Sequence, residues 1–326
     1  MTRVLVFEYL CAGGAAELDP AQAADLLPQG RAMRDAMLAD LLRAAPAQGL
    51  RVSVVTGGPG DTLPPGALPC PLPARPEGQT LPQALGLLAQ QHDAVWAVAP
   101  ETDGLLAACQ AAVPAGRWLG CEAPAIALAS RKRATLARLA ARGLKTPLAF
   151  SGQAVRWVTK PDDGAGATAT QVHGQLADAH AATCRGVPGM TTLEPWVEGE
   201  PLSLSLLCSP GRAPELLAVN RQQIALDDAG WVHYRGVEID VLPRQDARWP
   251  TLGLLASRVG EALPGLRGWV GVDLVWHTEE GPVLIEVNPR LTCAYAGLSA
   301  RLQRNLAAEM LAHWQQEAAR DAARAA

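Results

Sequence analysis

Two apolar stretches late in the chain, GVDLVW and LIEVNPRL, set acidic side chains inside strand-forming sequence, and they restrict the fold more than any other feature. Side chains two apart on a strand share a face. Glu286 and Asn288 therefore present two oxygen ligands side by side, and a hairpin between Trp276 and Val283 brings Asp273 alongside them. Two carboxylates on a wet sheet face would need no explanation. Here Asp273 lies between Val272 and Leu274, and Glu286 between Ile285 and Val287, where a lone carboxylate is costly without a cation or hydrogen-bond donors. Ligation by oxygen alone suits magnesium shared with substrate phosphates, with manganese as a substitute.

The rest of the chain reads as α/β first and α+β afterwards. Val4 to Phe7 is a continuous apolar run followed by Gly13 and Gly14, the pattern of a strand buried on both faces of a parallel sheet. A helix is expected over Ala32 to Ala45, a strand at Val52 to Val55, and a Pro- and Gly-rich surface loop from Gly57 to Gly78. Leu81 to Gln91 reads as helix, Ala94 to Val98 as strand and Thr102 to Ala112 as helix. This alternation implies an open, mostly parallel sheet. Ala123 to Arg142 is helical with a basic centre, and a strand then ends at Lys160. Further strands are expected at Thr191 to Val197, Leu202 to Cys208, Leu216 to Asn220, Trp269 to Trp276 and Val283 to Val287. Helices are expected at Leu252 to Ala262 and Leu298 to Ala319.

Composition narrows the partners. A net charge of -4 gives no broad basic field, which argues against nucleic acid or an acidic membrane surface. No apolar run is long enough for a membrane helix. Seven cysteines without a CxxC pair fit neither a zinc ribbon nor a disulfide framework and suit a reducing cytoplasm.

Two further segments carry chemistry. In VTKPDDGAGATAT, Lys160 ends an apolar strand, and Gly164 and Gly166 open a loop bearing Thr168. Glycines let backbone N–H groups approach a polyphosphate, and a lysine adds a mobile charge. The spacing is not that of a Walker loop, and a plain β-turn would look the same. Lys132, at a helix start, is a second cation, or else a lysine on a wet helix face. In LEPWVEGEPLSLSLL, Glu194 can accept from an adenine amino group, the backbone at Val197 can pair with the ring edge, and Glu200 can hold ribose hydroxyls. Trp196 in the same segment could simply be core.

In order, these residues resemble the ATP-grasp superfamily: a lysine before the lid, a lysine ending a lid strand, a glycine-rich loop, a hinge bearing Glu194 and the Gly199-Glu200 pair, then an aspartate followed by E-x-N. One departure is that only 28 residues separate Lys132 from Lys160, fewer than in many such lids. The resemblance implies three parts: an N-terminal open α/β pre-ATP-grasp domain over residues 1–122, a lid subdomain over 123–190 and a C-terminal antiparallel-sheet subdomain over 191–326. It assigns ATP phosphates to Lys132 and Lys160, with Gly164, Gly166 and Thr168 as the loop around them. It assigns adenine to Glu194 and Val197, ribose to Glu200, magnesium to Asp273, Glu286 and Asn288, and the transferring phosphoryl group to Arg290. FEYLCAGG, LPQGRAM, VAPETDG, LGCEAP and the NRQ at Asn220 to Gln222 resemble a smaller branch that includes the tyramine–glutamate ligases of methanofuran biosynthesis.

What the resemblance implies is an ADP-forming carboxylate–amine ligase of the cytoplasm. Its substrates would be small molecules, glutamate as the activated acid and tyramine or tyrosine as the amine, and a homodimer is open to it. Glu8, Tyr9, Arg221, Tyr234, Arg235 and Arg290 are the polar candidates for holding them. A ligase for another amino acid or peptide, and a non-catalytic ATP sensor, are the alternatives. A dinucleotide-binding enzyme is disfavoured because the turn after Phe7 lacks the third glycine of that fingerprint.

Overall fold

The computed structural model describes residues 1–58, 61–73, 75–164, 166–185 and 189–325, without side-chain detail from 321 onward. The chain forms two compact units, one of residues 1–100, 105–123 and 290–326, the other of residues 101–104 and 124–289.

The first unit is built on strand β1 (Thr2–Glu8), whose Val4, Leu5, Val6 and Phe7 are wholly buried. It lies between β2 (Leu50–Thr56) and β4 (Ala94–Val98), parallel to both, which is why its sequence is apolar on both faces. The edge strand β3 (Leu68–Pro71) pairs parallel with β2 and completes the order β3-β2-β1-β4. It falls inside the passage expected to be loop, since LPCP carries two prolines that only an edge strand tolerates. Residues 59, 60 and 74 of that passage lie outside the described residues.

Helix α1 (Pro20–Gln48) starts twelve residues before the expected helix and runs through Pro28. Asp19 accepts from Ala21 N–H at 2.9 Å, Pro20 opens the first turn, and Gly49 at φ 61 closes the last. Helix α2 (Leu81–Ala89) has a reciprocal capping box between Thr80 and Gln83, and α3 (Leu105–Ala112) follows β4. The C-terminal segment is tied to α1 by Asp40, whose buried carboxylate accepts from the hydroxyls of Tyr295, at 2.5 Å, and Ser299. That segment is two helices, α8 (Leu298–Arg301) and α9 (Leu306–Ala325), where one was expected, because Gln303 turns left-handed at φ 53.

In the second unit the helical stretch after Ala123 is likewise two elements, α4 (Ala123–Ala129) and α5 (Lys132–Ala141). The break comes from a tertiary cap: Asp162 accepts from Lys132 N–H through its carbonyl and from Arg133 N–H through its side chain, at 2.8 and 2.9 Å. A three-stranded antiparallel sheet, order β6-β5-β7, contains β5 (Trp157–Pro161), β6 (Gln171–His173) and β7 (Thr191–Pro195), with α6 (Leu176–Arg185) packed on it.

A five-stranded antiparallel sheet follows, built from β8 (Glu200–Cys208), β9 (Glu215–Leu226), β10 (Val232–Glu238), β11 (Gly268–His277) and β12 (Gly281–Asn288) in the order β10-β9-β8-β11-β12. Helix α7 (Trp249–Ala262) packs on β8 and β9. The elements not anticipated besides β3 were β6, α6 and β10. β6 and β10 are edge strands with half-polar sequences, and α6 buries Ala179 alone, so neither kind shows a strong apolar period. The architecture is thus a four-stranded parallel sheet in one unit and two antiparallel sheets in the other, the α/β and α+β combination expected.

Candidate functional site

Asp273 and Glu286 are direct cross-strand partners in the β11–β12 hairpin, at the point where the register shifts by a bulge. Asn288, two residues on and buried, donates from Nδ2 to Asp273 Oδ2 at 3.1 Å. The three side chains expected to hold a cation therefore stand together on one sheet edge. Among the described residues no three His, Cys, Asp or Glu side chains form a complete metal cage. Two carboxylates and one amide instead fit a hard cation that takes its remaining oxygens from phosphates and water.

Lys132 is buried, not set on a wet helix face. Its Nζ sits 3.0 Å from Glu286 Oε1 and donates to the Gly164 carbonyl. Burial works against its ammonium, but Glu286 outweighs that cost, and the carboxylates of Glu101 and Glu194 add to the effect, so its pKa is raised above the ordinary lysine value. Its position depends on the Asp162 cap, which draws the loop after Lys160 onto the start of α5.

Lys160 Nζ lies 2.9 Å from Glu194 Oε2, with both side chains buried, and Thr192 Oγ1 donates to Glu194 Oε1 at 3.1 Å. The lysine and the glutamate are diagonal neighbours across β5 and β7, since Lys160 faces Thr192 and Val158 faces Glu194. In the loop between β5 and β6, Gly164 is buried, Gly166 exposed and Thr168 half-buried; Ala165 lies outside the described residues. Ala167 and Ala169 hold φ values of 61 and 50. Left-handed alanines cost about 1–2 kcal/mol each, so local preference does not set this loop's shape.

Val197 is buried against Phe150 and Val283. Trp196 packs with Val158, Val172 and Val232 under the Arg156 guanidinium, and so serves as core. Gly199, at φ 149, has no room for a side chain: a Cβ there would meet the Trp276 carbonyl oxygen at 2.4 Å. This close approach carries the chain into Glu200, which two arginines grip. Arg221 Nε and Nη2 donate to Oε1 at 2.9 and 2.8 Å, and Arg248 Nη1 donates to Oε2 at 2.7 Å. Burial alone would raise the Glu200 pKa, but these hydrogen bonds outweigh it and hold it below the usual carboxylate value.

The remaining substrate candidates divide between the two units. Tyr234 and Arg235 lie on the edge strand β10, where the pairing with β9 shifts register between Tyr234 and Gly236. Glu8, Tyr9 and Arg290 belong to the first unit. There the buried Glu8 Oε2 accepts from Cys11 N–H at 2.8 Å, Tyr9 Oη donates to Glu17 at 2.6 Å, and Arg290 Nη1 donates to the Leu291 carbonyl at 3.2 Å. Glu8 also shapes the helix opposite, because a Cβ at Gly30 would come within 2.6 Å of its carboxylate. Burial pushes the Glu8 carboxyl pKa up.

The sequence reading missed Asp162, Glu101 and the polar residues Ser203, Ser205 and Asn220 of β8 and β9 as members of this neighbourhood. Asp162, Glu101 and Asn220 do lie in the stretches VTKPDDGAGATAT, VAPETDG and NRQ, though without a role assigned to them, and the serines show as the strict alternation in LSLSL.

Comparison with known proteins agrees with this layout. Residues 129–294 match the family model described as ATP-grasp domain, and residues 62–126 match that described as pre ATP-grasp 3 domain. No curated protein sequence matches. Among solved structures, an ATP-grasp superfamily protein from Archaeoglobus fulgidus superposes with a TM-score of 0.69 at 20% identity, covering 96% of this chain and 88% of that one. D-alanine–D-alanine ligase from Bacillus anthracis, also solved with ATP, gives 0.64 at 12% identity over 98% of this chain and 100% of that one. L-amino acid ligase from Bacillus licheniformis gives 0.59 at 15% identity over 91% and 68%. No helix among the described residues is long and apolar enough to cross a membrane.

Proposed function

The chain belongs to the ATP-grasp superfamily, and from that premise we propose that it is an ADP-forming carboxylate–amine ligase. The observation that carries this reading is the joined constellation of the second unit. Asp273, Glu286 and Asn288 stand together, Lys132 pairs with Glu286 and bonds the glycine-rich loop, and Lys160 forms an ion pair with Glu194 at the start of the hinge.

A carboxylate does not acylate an amine at neutral pH, because its leaving group would be oxide. In the proposed reaction a substrate carboxylate oxygen bonds to the γ-phosphorus of ATP as the β–γ bridge breaks and ADP leaves. The amine nitrogen then bonds to the acyl carbon of that acyl phosphate, and phosphate departs while the nitrogen gives up a proton. Asp273, Glu286 and Asn288 would hold magnesium, which when bound offsets phosphate charge. Lys132 and Lys160 supply two fixed ammonium charges for the β- and γ-phosphates, with Arg290 assigned to the transferring group. Glu194 and the Val197 backbone would receive adenine, and Glu200, oriented by Arg221 and Arg248, the ribose. Residues 1–122, 123–190 and 191–326 would serve as pre-ATP-grasp domain, lid and C-terminal subdomain.

For substrates we favour glutamate as the acid and tyramine or tyrosine as the amine, on the FEYLCAGG, LPQGRAM and NRQ segments, with the cytoplasm as the compartment that suits seven scattered cysteines lacking a CxxC pair. The test is ADP release, with magnesium or manganese, across an array of amino acids and amines led by this pair. Release that depends on both an acid and an amine, and that falls about a hundredfold or more in Glu286→Gln, is expected. ATP binding without any acceptor-dependent ADP release would overturn the ligase reading in favour of a sensor.

A further inference from the structure

In β8, Leu202, Leu204 and Leu206 lie on one face, each at most 1% exposed, and Ser203 and Ser205 lie on the other, both buried. Beside them on β9 is Asn220, with no exposed surface at all. The proposed chemistry uses none of these three polar groups, yet burying them is unfavourable unless each is bonded. Asn220 Nδ2 donates to Ser205 Oγ at 3.0 Å, to the Ser203 carbonyl at 3.2 Å and towards Ser203 Oγ at 3.4 Å. Its Oδ1 accepts from the N–H of Asp240, a residue held left-handed at φ 52. The amide is therefore fixed in direction, with Nδ2 towards the serines.

The strand register shows where this network leads. Ser203 faces Asn220 on one side and Asp273 on the other, and Asp273 faces Glu286. One row across four strands thus reads Asn220, Ser203, Asp273, Glu286, and directly opposed residues share a face with Cβ atoms about 4.5–5.5 Å apart. An amide nitrogen can only donate, so Ser203 Oγ accepts from Asn220 and has its own proton to give. The next residue in the row is the carboxylate of Asp273, which already receives Asn288 Nδ2 on Oδ2.

We infer that Ser203, oriented by Asn220, is a positioning residue that donates its hydroxyl proton to Asp273 and fixes that carboxylate in the row with Glu286 where a divalent cation is held; this rests on the metal assignment proposed above. Ser203 would then add its hydroxyl to Asn288 as a donor to the Asp273 carboxylate.

The experiment is Mn2+ binding to the whole chain in the presence of ADP, followed by the electron paramagnetic resonance of free Mn2+. Groups that orient a metal ligand typically change metal affinity about 10–100-fold when removed, so Ser203→Ala should weaken Mn2+ by about tenfold, with ADP affinity in the absence of metal unchanged. Ser203→Thr, which keeps the hydroxyl, should restore it. Ser205→Ala loses a hydroxyl bonded to the same Asn220, but Ser205 faces Gly271, not Asp273, and this variant should bind Mn2+ like the unaltered protein. Asn220→Asp turns the donor into an acceptor and should weaken Mn2+ as Ser203→Ala does, which tests the idea even if that variant fails to fold. Unchanged Mn2+ binding in Ser203→Ala, or an equal loss in Ser205→Ala, would overturn the inference. Asp273→Asn separates the two levels. If it abolishes Mn2+ binding while Ser203→Ala does not, only the Ser203 role falls; if it binds normally, the metal assignment falls as well.

Discussion

Replacing Lys160 by methionine should separate what this lysine does for stability from what it does for ATP. Its partner Glu194 would be left as a carboxylate with a side chain only 4% exposed, bonded to Thr192 and deprived of the ammonium 2.9 Å away. Breaking a buried pair from one side costs about 3–5 kcal/mol, far more than the pair's net worth against a neutral replacement. A domain of this size loses about 2–4 °C of melting temperature per kcal/mol, so Lys160→Met should melt about 10 °C lower. Adding Glu194→Gln removes the stranded charge while its amide oxygen can still accept from Thr192, and most of the loss should return. Turnover should not return, because both variants lack the ammonium assigned to the phosphates, worth about 3 kcal/mol of barrier or roughly a hundredfold in rate. Calorimetry gives the first quantity and ADP release the second. If the double variant recovers turnover together with its melting temperature, Lys160 is a structural residue. If the single variant melts within about 2 °C of the unaltered protein, the buried pair does not carry the charge argued here.

Two pH dependences follow from the carboxylates. Burial raises the Glu8 carboxyl, with Cys11 and Arg34 only partly offsetting it, and a raised folded pKa gives stability below the unfolded value that is lost as pH rises through the folded one. Glu8→Gln should therefore gain melting temperature relative to the unaltered protein as pH rises above the ordinary glutamate value of about 4; a gap that stays constant with pH in scanning calorimetry would refute this. At Glu200 burial pushes upward too, but Arg221 and Arg248 more than reverse it. This depressed carboxylate stabilises above its unfolded pKa and ceases to do so as pH falls through its folded value. Glu200→Gln should melt lower at neutral pH and converge with the unaltered protein in acid, and parallel melting curves down to about pH 3 would sink the argument.

Features that depend on periodicity or on one residue's own chemistry were legible in the sequence. The buried strand at Val4 to Phe7, the hairpin that sets Asp273 against Glu286, and Gly199 beside Glu200 are of this kind, because apolar flanks and a glycine in a tight approach leave a local mark. Edge strands left none. β3 pairs on one side only, and β6 and β10 lie at the ends of their own sheets and meet each other only through the short stretch around Trp231, so nothing forced their sequences to be apolar on both faces.

The partners of the charged groups were hidden for a different reason: they are set by register and by tertiary caps, which join residues far apart in sequence. The short interval between Lys132 and Lys160 is the clearest case. Asp162 caps α5 from the loop that follows Lys160, and this places the Gly164 carbonyl on Lys132 while β12 brings up Glu286. One aspartate in the PDDG turn thus connects helix, loop and carboxylate without requiring any particular spacing between the lysines. The residue types named candidate ligands, but only the strand register could show that Ser203 and Asn220 stand in line with them.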